Sequence, residues 1–383
     1  MSKKAWIFLG IFFGGMGLLL TACSGGNPQK AREAWLDREE IVFGLSYPVA
    51  EIETSTGFLN GVDMAVKEIN KKGLLGKSLR ILKKDDQGAV TTGSEVAQSF
   101  ADDPEVSAVI GHWNSRVSNA VADIYNRNGM VMITPASTSP LLTTRGYRYV
   151  FRKIYDDTDY GSAMARYAAR NGLDKVVVYY TDDDYGRGLA NAFEDAAYEN
   201  GIQVVDRTTG INGKNIDKLK DKWNAFDYNA IFIADVMPEA LEVIRTIRSA
   251  GIQAAVMGAT GIDRSSFIEE LGSYAEGIVM PTVFDPGEDS AEVAGFVEDY
   301  QALYDRMPDS WSAQGYETVM VLCRAIETAG SATPENIAAT LAGIKDFKGV
   351  SGVLNCSLEG EITGGEIYIK TVKNGKYVYL GKY

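Results

Sequence analysis

From Ile41 onward the chain alternates short apolar runs with segments of helical period, the pattern of an α/β protein built on doubly wound parallel sheets. Two runs, Val176-Val177-Val178 and Ile231-Phe232-Ile233, are apolar without alternation, as suits strands covered by helices on both faces. About nine such strands divide better between two sheets than within one, so two similar lobes are expected. With 383 residues, 45% of them hydrophobic, the chain has ample material for two cores.

The strands expected in order are Ile41–Val49, Leu79–Lys84, Val106–Gly111, Met130–Thr134, Lys175–Thr181, Ile202–Arg207, Ala230–Asp235, Ala254–Gly258 and Gly277–Val283. Helices fall between them. Phe58, Leu59, Val62, Val66 and Ile69 recur at helical spacing, as do Val117, Ala120, Val121 and Ile124. Pro238 suits the first turn of a helix burying Leu241, Ile244 and Ile247, because the N–H it lacks would have no partner there. Tyr147–Tyr155 reads as a crossover, since the pattern restarts beyond it. Past Asp289 come helices, then a run at Val350–Cys356. Glu366–Lys373 and Lys376–Gly381, joined by Asn374-Gly375, then read as a hairpin with a tight turn.

The residues before Ile41 stand apart from the fold. Lys3 and Lys4 precede an apolar stretch, Ala5–Leu20, interrupted by Gly10, Gly14, Gly15 and Gly17; Leu20-Thr21-Ala22-Cys23 closes it with small residues and a cysteine. A membrane span needs about 20 apolar residues, more than this stretch supplies. It resembles a bacterial lipoprotein signal with its lipobox. The resemblance implies cleavage before Cys23, a lipid on that thiol, and export. Ser24–Glu40 is then a polar tether that holds a water-exposed body at a membrane surface.

Fifty-one acidic residues against 38 basic ones give a net charge of −13, a field that repels polyanions, so no nucleic-acid partner is expected. His112 is the one histidine, which excludes a multi-histidine metal site. It reads as a loop histidine bonded to backbone. No G-x-S-x-G elbow occurs and no cysteine has a neighbouring histidine, so no catalytic residue, metal or cofactor is expected. Gly73–Ser78 fails as a phosphate loop because Lys71 stands where the first glycine is needed. Asp182-Asp183-Asp184-Tyr185-Gly186 lacks the calcium-loop spacing and reads as a solvated strand end, with a ligand contact as the alternative. Cys323 and Cys356 read as small buried hydrophobes, with a disulfide as the alternative.

Open α/β sheets bind ligands just past the C-terminal ends of their strands. After Val106–Gly111 comes His112-Trp113-Asn114-Ser115-Arg116-Val117-Ser118, which opens a helix; after Met130–Thr134 comes Pro135-Ala136-Ser137-Thr138-Ser139-Pro140. Hydroxyls and free N–H groups at such positions suit a carboxylate. The competing reading is that Ser115 caps its helix and that Pro135–Pro140 is a rigid turn.

Several segments together resemble the type I periplasmic binding proteins, in particular the leucine/isoleucine/valine-binding branch that serves ABC importers. They are Ile69–Gly76 after an amphipathic helix, Val109-Ile110-Gly111-His112, and Thr134–Pro140 followed by Arg145-Gly146-Tyr147. Asp184-Tyr185-Gly186-Arg187-Gly188, Met257-Gly258 and Ala275-Glu276-Gly277 follow in order. The resemblance implies two Rossmann-like lobes joined by a three-crossover hinge, with a ligand in the cleft and a membrane permease that recognises the closed form. It divides the chain into a signal peptide (1–22), a lipidated cysteine and tether (23–40), lobe 1 (41–153 and 280–352) and lobe 2 (154–279 and 353–383). A monomer is expected.

Carried over by position, the resemblance puts Ser115 on the ligand carboxylate and Ser137, Thr138 and Ser139 on carboxylate and ammonium. Tyr185 and Trp311 supply aromatic walls, Tyr316 falls on a helix tyrosine, and Tyr47 enters from the first strand's loop. The branch's ammonium-binding glutamate is Thr260 here, and Val236 replaces a tyrosine. An ammonium in a dry cleft without a carboxylate is costly. Either Asp235 takes that role, with capping of the Pro238 helix as its other reading, or the ligand has no ammonium. The expected ligand is a small carboxylate-bearing solute, a branched-chain or other apolar amino acid first. Amide, urea or aromatic-acid ligands, or a sensory module, are the alternatives.

Overall fold

The computed structural model describes residues 32–33 and 38–383; the expected signal segment, Cys23 and most of the tether lie outside the described residues. In the first lobe β1 (Glu40–Tyr47) leads through α1 (Val49–Ser55) and α2 (Phe58–Lys72) to β2 (Ser78–Asp85). α3 (Val90–Asp102), β3 (Val106–Ile110), α4 (Ser115–Arg127), β4 (Val131–Thr134) and β5 (Val150–Arg152) follow. These strands pair in parallel in the order β2-β1-β3-β4-β5. The chain then crosses over into α5 (Asp157–Arg170).

The second lobe repeats the scheme with β6 (Lys175–Tyr180), α6 (Asp184–Glu199), β7 (Gln203–Thr208), α7 (Ile216–Asn224) and β8 (Ala230–Ala234). α8 (Glu239–Ser249), β9 (Ala255–Met257), α9 (Phe267–Leu271) and β10 (Val279–Thr282) complete it. α10 (Ala291–Tyr304), α11 (Ser310–Ala329) and α12 (Pro334–Leu341) return to the first lobe, where α11 packs on α2 and α12 on β3 and β4. A small antiparallel sheet, β11 (Phe347–Gly349), β12 (Gly352–Cys356) and β13 (Ile362–Thr363), precedes the hairpin β14 (Tyr368–Lys373) and β15 (Lys376–Lys382). The second sheet runs β15-β14-β10-β9-β8-β6-β7, parallel except where β14 and β15 join antiparallel.

Val176, Val177 and Val178 of β6 and every residue of β8 are buried, because helices cover both sheet faces. The hairpin turn places Asn374 and Gly375 at φ 52° and 68°, the left-handed pair a two-residue turn requires. β5 lies inside the segment expected to be a crossover alone. It has three residues and ends in arginine, too short and too polar to register as an apolar run. β10 pairs with both β9 and β14, so the chain leaves the second sheet only after Thr282, a few residues beyond the boundary expected at 279/280.

The crossovers are pinned by charge. Lys153, just past β5, pairs with Glu317 of α11 and donates to Gln314 Oε1 at 2.6 Å and Ser351 Oγ at 3.1 Å. The buried Arg152 guanidinium donates to the Ser139 carbonyl at 2.6 Å and pairs with Glu361 and, at 3.5 Å, with Asp156. These contacts tie the first crossover to α11, to Ser351 ahead of β12 and to Glu361 ahead of β13.

Candidate functional site

Three strand ends of the first lobe are stitched together beneath the cleft. Ser46 near the end of β1 and Asp86 and His112 just past β2 and β3 are each 1% exposed or less. His112 Nδ1 lies 2.7 Å from Asp86 Oδ2 and 3.0 Å from Ser46 Oγ, while Nε2 lies 3.0 Å from the Tyr125 hydroxyl. His112 is thus held by side chains rather than by the backbone contacts expected, because parallel strands bring residues distant in sequence to one sheet edge. Its own carbonyl accepts from Thr134 Oγ1 at 2.7 Å and Ser118 Oγ at 3.0 Å. Thr134 Oγ1 in turn accepts from the Ser137 N–H at 3.0 Å. The two turns are one bonded unit.

Ser115 is the first residue of α4, and Asn114 is its N-cap without a side-chain capping bond. Ser115 is therefore not spent on capping; its hydroxyl accepts from Ser137 Oγ at 3.4 Å. The buried Asn114 Oδ1 has no hydrogen-bond partner among the described residues. Ser139 Oγ accepts from Asn119 at 3.0 Å.

The second lobe closes against these turns. Its segment after β9 crosses the seam: buried Arg264 donates to Ser55 Oγ at 3.0 Å and approaches the Glu51 carboxylate at 3.9 Å. Ser265 Oγ donates to the Ser55 carbonyl at 3.0 Å. From α11, Ser310 Oγ donates to Asp263 Oδ2 at 2.8 Å and the Trp311 indole donates to the Asp263 carbonyl. Burial lowers the Arg264 pKa against the opposing pull of Glu51, and burial raises that of Glu51.

Between the lobes lies a cavity. The first lobe lines it with Trp113, Asn114, Ser115, Arg116, Ala136 and Trp311, the second with Asp183, Tyr185, Val236, Thr260, Gly261 and Arg264. Trp113 and Trp311 have ring centroids 4.6 Å apart and form one apolar wall. Facing them, Tyr185 accepts the Gly261 N–H at 3.1 Å, and burial raises its phenol well above the ordinary range. Asp183 lines the cavity while capping α6 through Gly186 N at 2.9 Å. The lining combines hydroxyl and guanidinium donors with aromatic surface.

Of the residues expected from sequence, Ser115, Tyr185 and Trp311 meet in this lining. Ser137, Thr138 and Ser139 are buried directly behind it, in the same turn as Ala136. Tyr47 is buried and donates to Glu53 at 2.8 Å, away from the lining. Asp235 is also outside the lining: its carboxylate accepts from Val236 N at 2.8 Å and from the Tyr179 hydroxyl at 3.4 Å, and burial pushes its pKa up to about 7. Asp183, in the acidic run whose alternative reading is a ligand contact, also lines the cavity, together with Trp113, Arg116 and Arg264, which carry no such expectation. Trp113 and Arg116 lie in a segment marked by its strand-end position, whereas nothing local distinguishes Arg264. Tyr316, also off the lining, donates to Glu68 at 2.6 Å. Cys323 and Cys356 are free.

Comparison with known proteins agrees with this architecture. The family model for periplasmic binding proteins matches residues 42–376. A Leu/Ile/Val-binding protein homolog 1 of Brucella abortus is 28% identical over 96% of this chain and 98% of its own length. A homolog 3 of Brucella melitensis is 30% identical over 89% of this chain and 92% of its own length. Among solved structures, a substrate-binding protein of an ABC transporter from Desulfitobacterium hafniense, in complex with Leu, superposes with TM-score 0.82 at 37% identity, covering 89% of this chain and all of that one. A leucine-binding protein from Thermotoga maritima superposes with TM-score 0.80 at 30% identity, covering 88% and 97%. The chain belongs to the periplasmic binding protein family, as a type I member of the leucine/isoleucine/valine-binding branch.

Proposed function

We propose that this chain is the extracytoplasmic solute receptor of an ABC importer, taking a branched-chain or other apolar amino acid between its lobes and presenting the closed form to a membrane permease. The observation that carries this reading is the composition of the cavity. Ser115 at the start of α4, with the adjoining hydroxyl turn, supplies donors for a carboxylate, and Trp113 and Trp311 supply a wall for an apolar side chain. The relatives named above, among them one holding Leu, support the ligand class. Anchoring through Cys23 and function as a monomer belong to the same proposal, as does binding without chemical turnover.

A second reading keeps the carboxylate and drops the ammonium. It is favoured by Val236 and Thr260, which line the cavity without charge. Calorimetric titration of the protein, stripped of solute by unfolding and refolding, separates the two. L-leucine, L-isoleucine, L-valine, L-phenylalanine, urea and benzoate are the ligands to compare. Saturable binding of an L-amino acid, weakened roughly tenfold or more by Ser115→Ala through loss of a charge-assisted hydrogen bond, is the expected outcome. Binding confined to ligands without an ammonium would turn the assignment to the second reading.

A further inference from the structure

Asp86 is where the strand ends of the first lobe converge, and the hydrogens around it can be counted. Its Oδ2 accepts from Ser46 Oγ at 3.0 Å and lies 2.7 Å from His112 Nδ1, while its Oδ1 accepts from the Gly88 N–H at 2.9 Å. Across the imidazole, Nε2 lies 3.0 Å from the Tyr125 hydroxyl, whose only hydrogen-bond partner among the described residues it is. Asp86, His112 and Tyr125 are all fully buried. Burial, together with the Asp86 charge, keeps the Tyr125 phenol protonated, with its pKa well above the ordinary value. One arrangement therefore gives every one of these buried hydrogens an acceptor: Tyr125 donates to Nε2, and Nδ1 carries the ring proton and donates to Asp86. With the proton on Nε2, the phenol would lose its acceptor and Nδ1 would turn a lone pair toward a carboxylate.

The same carboxylate also holds the far end of the segment that follows His112. Arg116 Nη2 donates to the carbonyl of Gly88 at 2.8 Å, and Gly88 is the residue whose N–H Asp86 accepts. Trp113, Asn114, Ser115 and Arg116 thus run between two points fixed on Asp86, and all four line the cavity. At the near end the His112 carbonyl is held by Thr134 Oγ1 and Ser118 Oγ, so neither the ring nor the backbone of His112 is left to choose its direction.

We propose that His112, protonated on Nδ1 and bonded between Asp86 and Tyr125, is a positioning residue for the ligand: it touches no solute itself but sets how the Trp113–Arg116 segment presents the Ser115 hydroxyl. The assignment rests on the reading above that Ser115 receives a ligand carboxylate. A charge-assisted hydrogen bond to that carboxylate depends on the hydroxyl being held within about 0.5 Å of its place, which a supporting shell of locked side chains provides.

Two amides separate the two ring nitrogens. In His112→Asn the amide nitrogen stands where Nδ1 stands and still donates to Asp86; in His112→Gln the amide reaches toward Tyr125 and Asp86 loses that donor. Asparagine removes more of the ring's volume than glutamine, so packing alone favours the glutamine variant, and the positioning role ranks them the other way. Calorimetry with L-leucine and with benzoate, which share a carboxylate, reads the ranking. For whichever solute the wild type binds, His112→Gln is expected to weaken affinity about thirtyfold and His112→Asn only about threefold. Because the chain has one histidine, ¹⁵N-histidine labelling gives a single imidazole by NMR, expected in the wild type to show a protonated Nδ1 and an unprotonated Nε2. Should neither His112 variant fold, Tyr125→Phe keeps the ring and its donor to Asp86 but frees Nε2, and should weaken binding about fivefold. A proton on Nε2 in the wild type, a glutamine variant binding at least as tightly as the asparagine one, or unchanged affinity in Tyr125→Phe would each overturn the assignment and leave the receptor reading standing. A wild type that binds neither solute would remove the carboxylate reading, and the assignment with it.

Discussion

Lys153 and Asp157 are neighbours at the start of the first crossover, both buried, and the fold treats their charges in opposite ways. Lys153 meets a carboxylate, an amide oxygen and a hydroxyl, so its ammonium is fully engaged. Asp157 has no hydrogen-bond partner for either oxygen among the described residues. A buried charge already paired is part of the scaffold, and removing one partner strands the other. A buried acid without a paired cation is instead disfavoured in its charged form, and burial raises its pKa.

The largest effect should come from breaking the engaged side of this pair. Lys153→Met leaves Glu317, 1% exposed, without its cation, and should destabilise the protein by about 3–5 kcal/mol in urea unfolding. The double variant Lys153→Met/Glu317→Leu should recover much of that loss, since replacing both charges removes the stranded one. Asp157→Asn should behave in reverse: unfolding in the absence of ligand should show no loss, and a gain above neutral pH. If Asp157→Asn destabilised the ligand-free protein as much as Lys153→Met, Asp157 would belong to the scaffold.

A pH series sharpens the same contrast. Burial, helped by Asp156 and Asp183 and opposed by Thr138 and Arg152, pushes the Asp157 pKa from 3.8 up to about 7. Below about pH 4 the carboxyl is protonated whether the chain is folded or not. Between pH 4 and 7 the unfolded chain releases this proton while the folded chain keeps it, so its contribution to stability falls as pH rises, then levels above 7. The difference between wild type and Asp157→Asn in ligand-free unfolding at pH 4 to 8 isolates this group, with an upper bound of about 4 kcal/mol. Parallel stability curves for the two proteins would mean that Asp157 is not desolvated in solution.

The segments that form the first lobe's wall were legible in the sequence, and the reason is local. Ser115 and the turn that holds Ala136 follow strands within a few residues, and strand ends are where open sheets present groups to a ligand. The hairpin at Asn374-Gly375 was legible for a similar reason, since two adjacent residues specify the turn. Features of the second lobe depend on tertiary burial. Asp156, Asp157 and Asp159 look alike in sequence, three acids opening a helix. In the structure Asp156 and Asp159 form a reciprocal capping box, while Asp157 turns inward. Arg264 carries no local mark either; it matters because Ser55 and Glu51 of the other lobe stand opposite it.

The smallest effect expected is at Asp235, the acid a strand-end argument selects for the ammonium. Its Oδ1 accepts from the next residue's N–H at 2.8 Å and its Oδ2 from Tyr179 at 3.4 Å, so both oxygens are turned toward their own lobe. Asparagine can keep the first bond through its own Oδ1 while losing the negative charge. Asp235→Asn should therefore leave L-leucine affinity within about twofold of wild type, because a charge that faces away and is already bonded contributes little to a ligand it does not touch. Calorimetry on this variant checks it: a tenfold or greater loss would place the ammonium at the end of β8.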